Sequence, residues 1–412
     1  MVRVLFMHPD LGIGGAERLV VDAALALQHK GHIVSFLTNH HDKSHCFEET
    51  RNGSIRVETV GDWLPRKIFG GLYAFCAYFR MVYAAIYTSL IFSRREKIDI
   101  IFCDQISMGI PFLRLAKYKP KIIFYCHFPD QLLSQKGGMI KTAYRTPLNY
   151  LEEVTTGRAD RVLVNSKFTR NIFRKTFKRL DITPDVLYPS LNTTFFDDTQ
   201  VKDDEIDLKL SKDAFIYLSI NRFERKKNLA LAIESFNQLQ AVLNPPEWNR
   251  CFLIIAGGYD VRVNENIEYF NELEELAREL GVANKVIFLK SPSDIEKIYL
   301  LKKCSCLIYT PENEHFGIVP LEAMYMTKPV VAANSGGPTE TIIHESTGLL
   351  CDHNKMAFAK AMIRLIRDRP LLERMGEMGR KRVQQKFSFE AFADKTDCIV
   401  MECISQDKIK SS

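Results

Sequence analysis

The sequence predicts an α/β protein with two open, parallel-stranded halves, and three observations carry that prediction. Its 412 residues exceed what a single hydrophobic core usually holds, which points to two domains. Short apolar runs bounded by glycine, proline or polar residues recur along the chain, as expected of strands buried on both faces. Helical segments separate these runs, the order of βαβ units.

The first half opens with a strand over 2–7. His8-Pro9-Asp10 and the turn Gly12-Ile13-Gly14-Gly15 follow, then a helix with apolar positions at Leu19, Val20, Ala23, Ala24 and Leu27. Glycines there let the backbone approach an oxyanion, and the helix dipole favours one. The dinucleotide fingerprint is not met, because Glu17 fills its third glycine position; this disfavours a dinucleotide-dependent oxidoreductase. His40, His41, His45 and Cys46 match no zinc spacing and read as an exposed loop.

Residues 68–92 form the most apolar window, with Arg80 its one charge and Arg66, Lys67, Arg94 and Arg95 at its ends. Its length suits a bilayer crossing. Its position between strands of one sheet does not, and Arg80 at the midplane would cost about 3 kcal/mol. The expectation is a helix or helical hairpin lying in a membrane interface, the alternative an ordinary core helix. Strands over 98–103 and 122–126 end at Asp104 and His127, the edge where open sheets bind ligands. From the residues alone, His127 reads as a core histidine. A strand over 161–165 and a helix opened by Ser166 follow, residues 188–192 close the half, and the acidic stretch 197–212 is the expected linker.

The second half begins with a strand over 215–220 and a loop holding Arg222, Arg225, Lys226 and Lys227. Such a run is usually a solvated face, but between a strand and a helix it points where a diphosphate would lie. Further strands are expected over 252–256, 286–289, 306–309, 329–333 and 348–350, and helices over 358–366 and 371–383. A short helix should start near 317–319, since Pro320 is tolerated only in a first turn. Glu314 then lies in the loop at the carboxyl end of a strand, and Glu322 just inside the helix. Ionised carboxylates accept only, so each suits paired sugar hydroxyls, with a solvated helix face as the alternative.

With 56 basic against 50 acidic residues the chain is mildly basic, and neither a long basic block nor a known motif points to nucleic acid. Ten cysteines are spread singly without a CxxC pair, and Cys304 and Cys306 read as structural. With no signal-peptide pattern, a reducing cytosolic environment is expected, in which the N-x-S/T triplets at Asn52 and Asn192 carry no sugar.

Glu314, seven residues and Glu322, followed by Ser335-Gly336-Gly337-Pro338, resemble the signature of retaining glycosyltransferases of family 4 with the GT-B fold. That resemblance implies two Rossmann-like domains facing across a cleft. An acceptor domain would cover 1–200, a nucleotide-sugar domain 201–387, and a final helix 388–412 would cross back to the first. It further implies that Glu314 meets the transferred sugar, that Glu322 holds the nucleotide ribose, and that Arg222 and Lys227 grip the leaving diphosphate. His127 would face the sugar. The GGAER stretch with Gly14 and Gly15 would lie against the donor diphosphate or the acceptor, and Phe316, Gly317 and Ile318 would join the donor site. No metal or cofactor is implied, and no DxD with paired hydrophobic flanks occurs.

Within that family, HPDLGIGGAERLV, FYCHFPD, SINRFERKKNLALA and TPENEHFGIVPLEAMY resemble mannosyltransferases that act on dolichol-linked oligosaccharides. This implies GDP-mannose as donor and mannosyl-chitobiosyl-diphosphodolichol as acceptor, with α-1,3 and α-1,6 linkages made at the cytosolic face of the endoplasmic reticulum membrane. A membrane surface is the implied partner, and a complex with other enzymes of the pathway is allowed. Nothing in the sequence explains how one site makes two linkages. The rivals are a soluble family 4 enzyme with another nucleotide sugar, and an inactive membrane scaffold of the same fold.

Overall fold

A computed structural model describes residues 1–68, 72–133, 139–202, 205–211 and 213–410, with the backbone alone at 139–141 and 406–410. The chain divides into two compact units, Met1–Ser190 with Phe389–Ser412, and Leu191–Ser388.

The first unit is built on a parallel sheet of β1 (Arg3–His8), β2 (Ile33–Thr38), β3 (Arg56–Thr59), β4 (Ile100–Asp104), β5 (Lys121–Cys126), β6 (Arg161–Val164) and β7 (Asp185–Val186). Its order is β3-β2-β1-β4-β5-β6-β7. The chain runs outward from β1 in one direction and then from β4 in the other, so the order reverses between these neighbours. Helices leaving such a point diverge and expose the carboxyl ends of the two strands. Helix α1 (Gly15–His29) buries Leu19, Val20, Ala23, Ala24 and Leu27, the stripe its periodicity predicts. The terminal helix Phe389–Lys410 belongs to this unit and buries Phe392, Ile399 and Val400 in the same cluster. His32 Nε2 lies 2.6 Å from Asp397, and Arg161 donates to Glu402 at 2.7 Å, which fixes that helix at two points.

From Tyr73 onward the apolar window is one continuous helix rather than a hairpin, and residues 69–71 lie outside the described residues. Helix α2 (Tyr73–Tyr87) runs on through a π-helical turn, Thr88–Phe92, to Ser93–Arg95. Met81, Ala84, Ala85 and Phe92 pack into the core with Leu5 and Met7, while Tyr73, Phe75, Phe79, Leu90 and Ile91 stay exposed. Arg80 lies on the buried side, where its Nη2 donates to the Asn39 carbonyl at 2.9 Å and sits 3.4 Å from Asp62. The helix combines the two alternatives drawn from sequence, one face in the core and the other apolar and open.

The second unit carries β8 (Phe215–Ile220), β9 (Cys251–Gly257), β10 (Val286–Lys290), β11 (Cys306–Tyr309), β12 (Val330–Ala333) and β13 (Gly348–Cys351). The parallel order is β10-β9-β8-β11-β12-β13, with its reversal between β8 and β11. Helices α3 (Leu229–Gln240), α4 (Asn264–Glu279), α5 (Asp294–Lys303) and α6 (Ile318–Tyr325) lie among the crossovers that link these strands. The expected linker is too broad at its start. Asp197 and Asp198 close a short helix, Thr193–Asp198, capped by the Asn192 side chain, and Tyr325 donates to Asp197 at 2.6 Å.

At the end of β9 the backbone passes so close to the β8 loop that only glycine fits. Gly257 has φ +151°, and a Cβ there would fall 1.9 Å from the Asn221 carbonyl oxygen. Gly257→Ala should therefore destabilise the second unit by at least about 2 kcal/mol. Thermal unfolding checks this, and an unchanged transition temperature would contradict it.

Candidate active site

In the second unit the chemistry gathers where the strand order reverses. The loop after β8 carries Lys227, and the loop after β11 carries Glu314. The two are locked together, because Thr310 Oγ1 donates to the Lys227 carbonyl at 2.8 Å and the Lys227 ammonium donates to the Glu314 carboxylate. His353 Nε2 donates to the Thr310 carbonyl at 3.0 Å and braces the same corner. Burial would raise the Glu314 carboxyl, but the Lys227 charge outweighs it and holds Glu314 below its ordinary range. Glu314 is therefore an acceptor at neutral pH.

The glycine loop shapes this carboxylate's surroundings. Gly337 N–H donates to the Glu314 carbonyl at 2.8 Å, and Asn313 N–H donates to Ser335 Oγ at 3.0 Å. A Cβ on Gly337 would lie 2.2 Å from the Phe316 carbonyl oxygen, so any side chain would push the Glu314 loop away. Helix α6 starts at Gly317, whose φ of +83° suits glycine and which supplies no side-chain cap. Its first-turn N–H groups are thus left for an oxyanion. Ile318 stands partly exposed beside them, whereas the Phe316 ring is buried against Phe387 and offers only its backbone.

Glu322 lies one turn into α6 and is buried. Its Oε1 accepts from Lys297 of α5 at 3.0 Å, while Oε2 is buried with no hydrogen-bond partner among the described residues. A buried carboxylate oxygen of that kind is an acceptor waiting for a donor. Sequence reading missed Lys297, although the Ser293 and Glu296 capping box that starts its helix was legible. Arg222 is not drawn to this cluster. It is exposed and pairs with Glu224 at 2.9 Å, Lys226 pairs with the same residue at 3.0 Å, and Arg225 turns to Glu268 and Glu272.

In the first unit β1 and β4 end at His8 and Asp104, and His127 follows β5 directly. Asp104 is buried between the two histidines, its Oδ1 2.7 Å from His8 Nδ1 and its Oδ2 3.0 Å from His127 Nε2. His8 Nε2 lies 3.5 Å from Glu17, in the first turn of α1 just after Gly14 and Gly15. Burial alone would lower His8, but the Asp104 charge and hydrogen bond prevail and push it up to about 10. Burial would likewise raise Asp104, and the His8 cation holds it down. The sequence marked Asp104 and His127 as strand ends but missed His8 and Glu17, although His8 ends its strand in the same way. The nearby histidine cluster is spent locally, with His40 on Asp62 at 2.9 Å and His41 on Thr50 at 3.2 Å.

A cavity of about 610 Å³ between Asp213, Arg250, Lys303 and Glu373 opens at the opposite, amino-terminal edge of the second sheet. Open sheets bind ligands at the carboxyl ends of their strands, so this cavity is no candidate.

Known proteins resemble this chain in sequence and in fold. Residues 13–194 match the family described as Glycosyltransferase Family 4, and residues 201–382 match Glycosyl transferases group 1. The human Alpha-1,3/1,6-mannosyltransferase ALG2 is 52% identical over 394 residues, 95% of this chain and 94% of its own length. The mouse relative of that name is 50% identical over the same shares. The chain belongs to the α-1,3/1,6-mannosyltransferase ALG2 family. It is thus a glycosyltransferase, and its two parallel-sheet units are those of the GT-B fold. The sucrose-phosphate synthase of Thermosynechococcus elongatus superposes with a TM-score of 0.72 over 100% of both chains at 21% identity, a likeness of fold.

The buried His8 gives this family member a testable pH signature. Its folded value stands above the ordinary 6.5, so its stabilising contribution is complete below pH 6.5 and is lost as pH rises through about 10. Urea unfolding of the native chain should weaken over that window, and His8→Gln should lack this part of the decline. Equal declines in both proteins would contradict the assignment.

Proposed function

We propose that this mannosyltransferase moves mannose from GDP-mannose to mannosyl-chitobiosyl-diphosphodolichol, forming α-1,3 and α-1,6 linkages in N-glycan precursor assembly. The observation that carries the chemistry is Lys227 held against Glu314 beside an uncapped helix start, at the point where the second sheet reverses its strand order. Cleaving the bond from the anomeric carbon to oxygen leaves a diphosphate while the sugar becomes cationic. Lys227 has three N–H donors, so it can keep Glu314 and still donate to a phosphate oxygen. The α6 N-terminus adds N–H groups for the same charge, the kind of preorganised electrostatics that contributes most to such reactions. Arg222, exposed on the same loop, reaches the diphosphate once it leaves Glu224.

Glu314 fixes the hydroxyls of the transferred sugar, and the unpartnered Oε2 of Glu322 takes a ribose hydroxyl. His127 meets the transferred sugar from the first unit. The reaction retains configuration, with the leaving phosphate oxygen taking the acceptor proton on the face it departs from. Incubation with GDP-mannose and the monomannosylated lipid should yield both α-1,3 and α-1,6 products. Lys227→Ala and Glu314→Ala should each lower kcat/KM on the order of 100-fold or more. Native turnover in both variants would sink this reading, and UDP-sugar use without GDP-mannose use would replace it with another donor.

A lipid-borne acceptor also accounts for the open apolar face of α2 and its continuation, flanked by Arg94 and Arg95. This face is proposed to lie on the cytosolic surface of the endoplasmic reticulum membrane, its aromatics at headgroup level. Replacing Phe75, Phe79 and Leu90 together by serine should weaken co-flotation with anionic vesicles at least about tenfold. Unchanged flotation would remove the face from membrane contact.

A further inference from the structure

Three strand ends in the first unit meet where Asp104 is hydrogen-bonded to both His8 and His127, and Glu17 approaches the far side of His8 at 3.5 Å. Of the first three, His8 and Asp104 have side chains 1% exposed, whereas His127 keeps 21%, so it is the member a ligand can touch. Its ring is braced by Tyr125, with ring centres 4.7 Å apart, and its backbone carbonyl accepts from Asn165 Nδ2 at 3.1 Å.

We propose that Asp104 is a positioning residue for His127: its carboxylate, anchored on the other side by His8, keeps the His127 proton on Nε2 and leaves Nδ1 as the acceptor for a sugar hydroxyl. The proposal rests on the reading that His127 meets the transferred sugar. An ionised carboxylate accepts only, so each histidine nitrogen facing Asp104 must carry a hydrogen. Neutral imidazole has one N–H, and when Asp104 claims it at Nε2 the ring presents a lone pair at Nδ1. His8 makes that choice firm, because a cation at 2.7 Å opposes protonation of Asp104. Glu17 stands on the far side of His8 and supports the cation in turn. A ring free to adopt either tautomer would meet a hydroxyl as donor part of the time and lose the hydroxyl's own hydrogen bond.

The test labels histidine nitrogens in the full chain and reads the tautomer by two-bond proton to nitrogen correlation at neutral pH. The expected pattern is a proton on Nε2 of His127 with none on Nδ1, and protons on both nitrogens of His8; a proton on Nδ1 of His127 overturns the proposal. Turnover supplies a second readout. Asp104→Asn should lower kcat roughly 10- to 100-fold, the size of losing a charge-assisted hydrogen bond, while KM for GDP-mannose stays within about twofold. In a His127→Asn background the same change should cost no more than about twofold, because the two act as one unit. Equal losses in both backgrounds mean Asp104 acts only on the fold and overturn the proposal. Should Asp104→Asn fail to fold, the tautomer in the native chain decides. A native rate in His127→Asn overturns the acceptor role without touching Lys227 and Glu314, whose own variants decide the reaction.

Discussion

A carboxylate and an ammonium leave water only at great cost unless they meet, and the second unit is arranged so that Lys227 and Glu314 do. Each residue comes from a different strand end, so their contact joins the two loops that flank the reversal point. The hydrogen bond from the Thr310 hydroxyl to the Lys227 carbonyl and the glycine loop pressed on Glu314 and Phe316 hold the pair from both sides. Removing either charge would leave the other buried and alone. Each side chain is thus the other's counter-ion, and Lys227 keeps further N–H donors beyond the one given to Glu314.

The same constraint governs the first unit with different partners. Asp104 could not stay ionised at the bottom of the β1–β4 edge without a cation, and His8 could not stay charged without Asp104 and Glu17. Burial and charge act in opposite directions on each group, and in each the neighbouring charge wins. Such a chain has few alternative arrangements, since moving one member strands the next. That rigidity suits residues at the carboxyl edge of a sheet, where small displacements change what a ligand meets.

Much of this was legible in the sequence because it depends on local rules. Apolar runs gave the strands other than β2, β3 and β7, Pro320 placed the start of α6, and the flanking strand and helix put Glu314 in the loop and Glu322 in the helix. What escaped depended on contacts distant in sequence. Lys297 meets Glu322 across 25 positions, and His8 meets Asp104 across 96, and no periodicity reports such pairs. Asp197 looked like linker because its partner, Tyr325, lies 128 residues on. The window 68–92 misled in another way. Composition shows how apolar a helix is but not which side is covered, and only the fold divides it into a face on Leu5 and Met7 and a face left open.

The two edges differ in sign, and that difference bears on which takes the donor. At the β8 edge Arg222, Arg225, Lys226 and Lys227 crowd one loop, and an uncapped helix start adds further positive potential. At the β1 edge the glycine turn leads into a helix whose first turn holds Glu17, with Asp104 buried nearby between His8 and His127, and Arg18 pairs with Asp22 and Glu49. A diphosphate approaching there would meet a carboxylate where a phosphate-binding turn leaves the dipole unopposed. Hydroxyl groups would not be repelled, because carboxylates accept from them. The charge pattern thus favours the sugar or acceptor for the GGAER turn at Gly14 and Gly15, and the nucleotide diphosphate for Lys227 and its neighbours. A βα turn can thus serve opposite ligands, because the charged residues around it, rather than the turn itself, set the sign.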